Sequence, residues 1–402
     1  MKIFATSYGG SHVKTIKPVI KELAKRGHAC IYMPQTIVNK DEFDDVSVVS
    51  CQDFIDSDNE KIKQYGEILA QKHHSDHVMQ YHESVSYLGQ LFYDNYLAYG
   101  EEKSWEIYHK HGLAGFNPVA YMKKVLMHFS PDFVIATNAP RMERAALHVA
   151  TMLNIKNLCI VDFQGLREIE WLKDVRYCSA LAVNSSAVCK KLIDAGRSPS
   201  SIYITGSPLF EKISLMSQEQ IKNYNKDFAF VENRKPIIFF AEQQVSVYRD
   251  LSISIKHKLY EACQKYGWIL KIRRHPNTIS EVGEHIPEGV IISCGKTAVE
   301  DDVLSCDVCV TITSTVGWMA LVAGKPLLVV PHSSESKNYD VGERDGAFVM
   351  NSIDEIEGCL LKIINGTGGS KTFINKSEFI ERHPFASKNI ASLIENFSWG
   401  VA

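Results

Sequence analysis

Apolar residues along this chain fall into two rhythms that take turns. Short unbroken apolar runs, of the kind that make strands buried on both faces, alternate with stretches whose apolar positions recur every three or four residues, the spacing of one helix face. "KIFATSY" at the start reads as a strand. The next segment, "HVKTIKPVIKELAKRG", places Val13, Ile16, Val19, Ile20 and Leu23 on one helical face, and Gly27 is a C-terminal stop. "HACIYM" is the following strand, so the chain opens with a strand–helix–strand unit, the seed of a parallel sheet. From about residue 55 to 128 the rhythm is helical throughout, rich in His, Tyr, Glu and Lys and without strand runs. Alternation then resumes. "PDFVIAT" is a strand, "PRMERAALHVATMLN" a helix with Pro near its start, "KNLCIVDF" and "ALAVN" strands, "SSAVCKKLIDAG" a capped helix, and "SIYIT" a strand running into "GSPLF".

After the charged connection "NYNKDFAFVENRK" the same pattern starts again. "PIIFFAEQ", "WILKIRRHP", "GVIISC", "VCVTIT" and "PLLVVP" read as strands, and "SISIKHKLYEACQKYG" and "VGWMALVAG" as helices. Two α/β units follow: residues 1–206 with a helical insertion at about 55–128, and residues 207–380. Residues 381–402 are expected to form a helix that crosses back to the first unit. No internal repeat or low-complexity tract interrupts them. The length of 402 residues allows roughly two to three domains at about 150 residues each.

Charge and composition narrow the function. Lys plus Arg is 44 against 47 Asp plus Glu, a net charge of -3, without the basic excess of a dedicated nucleic-acid binder. An apolar fraction of 45% and a charged fraction of 23% are those of a folded globular chain and exclude disorder, collagen and a disulfide scaffold. The ten cysteines sit mostly in apolar runs, as Cys159 and Cys309 do, and read as buried thiols. Cys306 and Cys309 are spaced like a redox pair, but a strand there would point them to opposite faces. The opening residues lack the apolar core and cleavage site of a secretory leader. The uncharged run from Val308 to Gly324 is marginally short for a membrane span and carries a turn signal, so it reads as strand, loop and helix. A cytoplasmic location is the expectation, with room for peripheral association with a membrane.

In open parallel sheets ligands bind beyond the carboxyl ends of the strands, so the residues that follow each strand carry the chemistry. After the first strand, Gly9 and Gly10 let a backbone approach a ligand, and His12 stands at a helix start where it can move protons near neutral pH. Asn138, Arg141 and Glu143 follow the strand "PDFVIAT", and Asp162 closes the strand after it, suited to act as a base or to hold a sugar hydroxyl. The bland alternatives are a capping His, a solvated first helical turn and a turn Asp. In the second unit Glu242 and Gln243 follow the first strand. Arg273, His275, Pro276 and Asn277 form a cationic bend suited to a phosphate, against the reading of a solvated basic edge. Thr313, Ser314, Thr315 and Gly317 open a helix whose free N–H groups make an anion site, or merely an ordinary cap. Glu335, Ser336 and Asn338 follow a later strand and could touch a sugar. His73, His74, His77 and His82 invite a metal reading, but no Cys or carboxylate cluster accompanies them.

The segments "GGSHVKTIKPVIKELAKRGHACIYM", "RRHPN" and "TSTVGWMALVAGKPLLVVPHSSESKN" resemble the GT-B glycosyltransferase superfamily. That resemblance implies an α/β fold of two Rossmann-like domains with parallel sheets facing across a cleft. It implies a first domain that holds the acceptor and a second that holds a nucleotide-sugar donor, with no metal or other cofactor. Two branches compete. His275-Pro276 and Thr313–Thr315 are similar to the phosphate-holding motifs of bacterial sialyltransferases and Kdo transferases, which use CMP-sugars. "HPN", "PDFVIATN", "NLCIVDFQGLR" and "ITGSPLF" are similar to the non-hydrolysing UDP-N-acetylglucosamine epimerases. The chain departs from the epimerase pattern at Asn138, where an Asp is expected, and in "TSTVGWMAL", which lacks paired glutamates. The expectation is a metal-independent glycosyltransferase for bacterial surface polysaccharide, moving a sugar from a CMP- or UDP-linked donor to a glycan or lipid-linked acceptor. His12, Asp162 or Glu143 would be its base, and no nucleic acid would be involved. The alternatives are a UDP-N-acetylglucosamine 2-epimerase-like epimerase or hydrolase, a glycerophosphotransferase of the teichoic-acid type, and a non-catalytic sugar-nucleotide binder.

Overall fold

The structure, a computed structural model, describes the chain apart from residues 77, 163–167, 225–233, 244–247, 275–285, 294–296, 331–345, 367–380 and 398–402, and apart from the side chains of 220–224. The described residues divide into two compact units, Met1–Leu209 with Phe385–Ala402, and Phe210–Pro384.

In the first unit seven parallel strands lie in the order β3-β2-β1-β4-β5-β6-β7. They are β1 Lys2–Ser7, β2 Ala29–Pro34, β3 Val46–Val48, β4 Phe133–Thr137, β5 Lys156–Ile160, β6 Ala180–Val183 and β7 Ile202–Ile204. Every residue of β4 is buried, which explains its unbroken apolar run: helices cover both faces of the sheet. Helix α1 (Ser11–Lys25) buries Ile16, Val19, Ile20 and Leu23 completely, each worth about 1.5–3 kcal/mol of transfer free energy. The short strand β3 was not legible in the sequence. Only three residues long and half-exposed, it pairs with β2 and adds little apolar signal.

The helical stretch comprises α2 (Glu60–His73), α3 (Tyr81–Tyr99), α4 (Glu101–His111) and α5 (Val119–Phe129). It packs on the sheet through a cluster in which Leu91, Phe92, Met122 and Val125 meet Phe4, Val134 and Met142. Helices α2 and α3 cross at Gly66 and Gly89, where a Cβ would strike the carbonyls of Val85 and Ile62. His73 bonds Tyr108 and His74 bonds Ser84, so both imidazoles serve packing here. His77 lies outside the described residues.

Helices α6 (Met142–Met152), the single turn α7 (Ile169–Leu172) and α8 (Ser186–Asp194) complete the alternation. The C-terminal helix Ala386–Glu395 packs against α1: Ile390 and Ile394 join the core with Ile16 and Ile20, and Arg26 bonds Glu395 at 2.7 Å and Ser392 at 3.0 Å.

The second unit has six parallel strands in the order β10-β9-β8-β11-β12-β13. They are β8 Ile237–Ala241, β9 Ile269–Arg273, β10 Val290–Ser293, β11 Val308–Thr311, β12 Leu327–Val329 and β13 Phe348–Val349. The helices are α9 (Glu211–Tyr224), α10 (Arg249–Tyr266), α11 (Val299–Ser305), α12 (Thr315–Val322) and Ile356–Ile364. Val308 to Gly324 is strand, loop and helix, as its turn signal implies. Cys306 corrects one expectation: it caps α11 instead of lying in a strand with Cys309, and both thiols are fully buried. Among the described residues no helix is long and apolar enough to cross a membrane.

Candidate functional site

Both sheets reverse their winding next to the first strand, between β1 and β4 in the first unit and between β8 and β11 in the second. At such a switch point the flanking loops diverge and leave a crevice at the strand ends.

In the first unit the loop Tyr8–Gly10 leaves β1 and enters α1. Gly10 has φ 67°, a left-handed conformation that favours glycine, and a Cβ on Gly9 would stand 2.9 Å from the Thr36 side chain. On the other side of the switch point, α6 begins at Met142, after Arg141 at φ 73°. An arginine at that φ costs about 1–3 kcal/mol of backbone strain, the kind retained at functional sites. It brings the guanidinium 4.2 Å from the centre of the Tyr8 ring, and Arg141 Nε is buried with no hydrogen-bond partner.

Between these loops runs a chain of hydrogen bonds. Glu143, with no exposed surface, accepts from the Tyr8 N–H on Oε1 and from the Ala139 N–H (3.3 Å) and the Thr137 hydroxyl on Oε2. Thr137 Oγ1 is 2.6 Å from His12 Nδ1. Asp162 Oδ2 lies 3.9 Å from the same nitrogen and accepts from the Ser11 hydroxyl at 2.8 Å. Asn138 joins the set: its Oδ1 accepts from the Asp162 N–H, and its Nδ2 donates to Glu168 at 3.2 Å. Three side chains of the helical insertion and its neighbourhood back the site: Tyr87 donates to Gln35 at 3.0 Å, and Gln35 donates to Thr6 at 3.2 Å.

Burial dominates the electrostatics. It lifts the Glu143 carboxyl to about 7, against the opposing pull of the Thr137 hydroxyl and the two backbone N–H groups. Burial lowers the His12 pKa, with Asp162 acting to raise it and Arg141 to lower it. Glu143 therefore titrates near neutrality while His12 is kept neutral there, the divergence of neighbouring titratable groups that acid–base chemistry uses. The solvated helical turn weighed for Glu143 does not occur: the residue starts a helix but faces inward.

In the second unit Arg273 ends β9, Glu242 follows β8, and Thr313 lies two residues beyond β11. The Glu242 N–H donates to the Arg273 carbonyl at 3.0 Å. Gln243 clamps the β11 end: its Nε2 donates to Thr313 Oγ1 at 2.9 Å, and its Oε1 accepts from the Thr313 N–H at 2.7 Å. Ser314 caps α12 by accepting from the Val316 N–H at 3.2 Å. Thr315 and Gly317 lie in the first turn, and the Gly317 N–H donates to the Ser314 carbonyl at 3.0 Å. Glu242 is nearly buried and paired with Lys256. The Arg273 guanidinium donates to Asp302 at 2.8 Å and to the Thr297 carbonyl at 3.1 Å. Burial raises the Asp302 carboxyl, but bonds from Ser293, Arg273 and Lys271 outweigh it and hold it below its usual range. The cation of the bend is thus committed to a buried carboxylate. His275, Pro276, Asn277, Glu335, Ser336 and Asn338 lie outside the described residues.

Sequence reasoning passed over Thr137, Tyr8, Gln35, Tyr87 and Asp302. Thr137 carried a usable signal, as the one polar residue at the end of an apolar strand. Asp302 had none, because it reads as an ordinary acid in a helical turn. Among the described residues no group of three or more His, Cys, Asp or Glu side chains is placed to hold a metal ion.

No family model matches the chain, and no curated protein matches it. Solved structures do. It is similar to UDP-GlcNAc 2-epimerase from Neisseria meningitidis bound to UDP-GlcNAc, at 14% identity and a TM-score of 0.58, over 98% of this chain and 100% of that one. It is similar to UDP-GlcNAc 2-epimerase from Methanocaldococcus jannaschii at 12% identity and a TM-score of 0.55, over 98% and 100%. CalG4, the calicheamicin glycosyltransferase, matches at 15% identity and a TM-score of 0.57, over 100% and 99%. At such identities the likeness establishes the fold: two parallel-sheet Rossmann-like domains of the GT-B type.

Proposed function

We propose that this chain is a metal-independent enzyme acting on a nucleotide-activated sugar, and that a UDP-sugar epimerase or hydrolase is the better reading than a CMP-sugar transferase. The observation that carries it is the joined set of His12, Thr137, Glu143 and Asp162 at the first switch point. Inverting a carbon that bears hydrogen needs one group to take the proton and one to return it. A neutral imidazole linked through Thr137 to a buried carboxyl that titrates near neutrality can do both in turn. Two of the similar structures named above are UDP-GlcNAc 2-epimerases, which moves the weight from the CMP-linked donor to a UDP-linked one.

In this reading His12 Nε2 meets the sugar, since Nδ1 is engaged by Thr137 and the side chain is 21% exposed. Asp162 orients the imidazole and steadies any positive charge on it. Within the second unit, the strand end held by Gln243 and Thr313 is the candidate for holding a nucleotide. Transfer to an acceptor is the second reading, favoured by Asn138 at the place of the expected epimerase Asp and by the likeness to a glycosyltransferase.

The test is incubation with UDP-N-acetylglucosamine in D2O without acceptor, followed by NMR. Deuterium at the inverted carbon, or release of UDP, supports the proposal. Turnover only when a saccharide or lipid-linked acceptor is added overturns it in favour of transfer. Calorimetric titration with UDP and CMP separates the donors, and binding of CMP alone would restore the CMP-sugar reading.

A further inference from the structure

We infer that Thr137 is a positioning residue that relays a proton between His12 and the buried Glu143, so that the imidazole changes tautomer instead of charge when it works. The inference rests on the proposed function for its purpose, not for its geometry.

The Thr137 hydroxyl has one hydrogen and lies within hydrogen-bond reach of both His12 Nδ1, at 2.6 Å, and Glu143 Oε2. It can donate to only one of them. With Glu143 ionised, the carboxylate can only accept, so Thr137 donates to it. His12 must then carry its hydrogen on Nδ1 and donate to Thr137, which leaves a lone pair on Nε2. With Glu143 protonated on Oε2, the directions reverse. Glu143 donates to Thr137, Thr137 donates to Nδ1, and the imidazole hydrogen sits on Nε2. The same histidine is a base in the first arrangement and an acid in the second.

The working step balances. Nε2 takes a proton from the substrate as the substrate's O–H or C–H bond breaks and its electron pair stays behind. The Nδ1 hydrogen passes to Thr137 Oγ1, and the original Thr137 hydrogen passes to Glu143 Oε2. Glu143 ends protonated and His12 ends neutral, and the reverse sequence returns the proton. No imidazolium forms, which suits a histidine that burial and Arg141 both disfavour in charged form.

Among the described residues, the groups that face Glu143 do not offer another route. The Tyr8 and Ala139 N–H groups are fixed donors. Arg141 acts on it through charge alone. Tyr32 is bonded to Ser7 and Tyr87 to Gln35, and Cys159 is fully buried. Asp162 faces His12 Nδ1 at 3.9 Å, beyond hydrogen-bond reach.

The experiment labels the intact protein with 15N-histidine and follows His12, assigned by its loss in His12→Asn, through long-range proton–nitrogen spectra from pH 5.5 to 8.5 without substrate. The expected result is an inversion of the tautomer, from Nε2–H at the acid end of the neutral range to Nδ1–H at the alkaline end. Glu143→Gln, whose amide oxygen accepts from the Tyr8 N–H so that its NH2 faces Thr137, holds the Nε2–H tautomer with no inversion across this range. Thr137→Val makes the tautomer insensitive to pH, and Thr137→Ser restores the inversion. A wild-type tautomer that stays constant, or a Thr137→Val protein that inverts like wild type, overturns the relay. If Thr137→Val does not fold, Glu143→Gln decides alone. Because no substrate is present, absence of sugar-nucleotide turnover would sink the proposed function while leaving this outcome readable.

Discussion

Replacing Glu143 by Gln should change how stability depends on pH in a way that isolates one carboxyl. In the folded protein that carboxyl is lifted from 4.5 to about 7, chiefly by burial. In the unfolded chain it ionises at its ordinary value. Between the two, the native state holds a proton that the unfolded state has lost, so unfolding becomes easier as pH rises. The stabilisation is full below the unfolded value and gone once pH passes the folded one. The gap corresponds to about 3 kcal/mol, since one pKa unit is about 1.4 kcal/mol. The amide that Glu143→Gln introduces cannot ionise, but it keeps the acceptor for the Tyr8 N–H and gains a donor toward Thr137. The assay is urea unfolding at pH 4.5, 6, 7 and 8 on both proteins, read by thiol labelling of Cys159, which is fully buried in β5 of the same unit. Subtracting the two series cancels every other titrating group in common. The advantage of wild type over the variant should shrink by about 3 kcal/mol across that range. A difference that stays flat would mean that Glu143 ionises like a surface carboxyl, and the relay would lose its proton store.

Asp162→Asn should push the His12 midpoint further down, because the raising influence of Asp162 is removed while burial and Arg141 remain. It should also cut kcat by about a hundredfold on the proposed substrate; nitrogen NMR and steady-state rates read the two effects, and an unmoved midpoint would deny the electrostatic link. Gln243→Leu removes both bonds to Thr313 and should weaken UDP binding about tenfold, the value of one to two lost hydrogen bonds, as measured by calorimetry. Equal affinity would place the nucleotide elsewhere. Gly89→Ala drives a Cβ into the Ile62 carbonyl at the α2–α3 crossing, where backbone cannot yield cheaply, and should lower stability by about 1–3 kcal/mol. An unchanged urea midpoint would show that the helices can part.

The fold was legible because its signals are local. Val13 to Leu23 advertise one helical face, and "FVIAT" advertises a strand covered on both sides. What escaped was whatever depended on distant partners. Nothing around Arg273 announces that Asp302, 29 residues on, will claim its guanidinium; a cation at a strand end looks the same whether it awaits a phosphate or is already paired. Nothing near Arg141 announces a left-handed backbone, since Arg is a poor choice for one. The backing of the site by Tyr87 was equally hidden, because the helical insertion carries no motif of its own and meets the β1 end only through tertiary contact.

His12, Glu143 and Asp162 entered as rival candidates for one base, and the parallel register shows why they are not rivals. Ile3 pairs with Phe133 and Thr6 with Ala136, while Val134 pairs with Asn157, so the ends of β1, β4 and β5 are level and their following loops must meet. The His12–Thr137 bond spans 125 residues of sequence and the Ser11–Asp162 bond 151, yet both close at that one edge. Exposure then sorts the roles. Glu143 shows no surface and cannot touch a sugar, and the Asp162 side chain shows 3%, whereas the His12 side chain shows 21%. Of these three described side chains the imidazole is the one open to a ligand, and the two carboxyls stand behind it. A device of this kind needs one hydroxyl between the imidazole and the proton store, and the strand end supplies it at Thr137. Removing that hydroxyl should therefore cost the pH response of the histidine before it costs the fold.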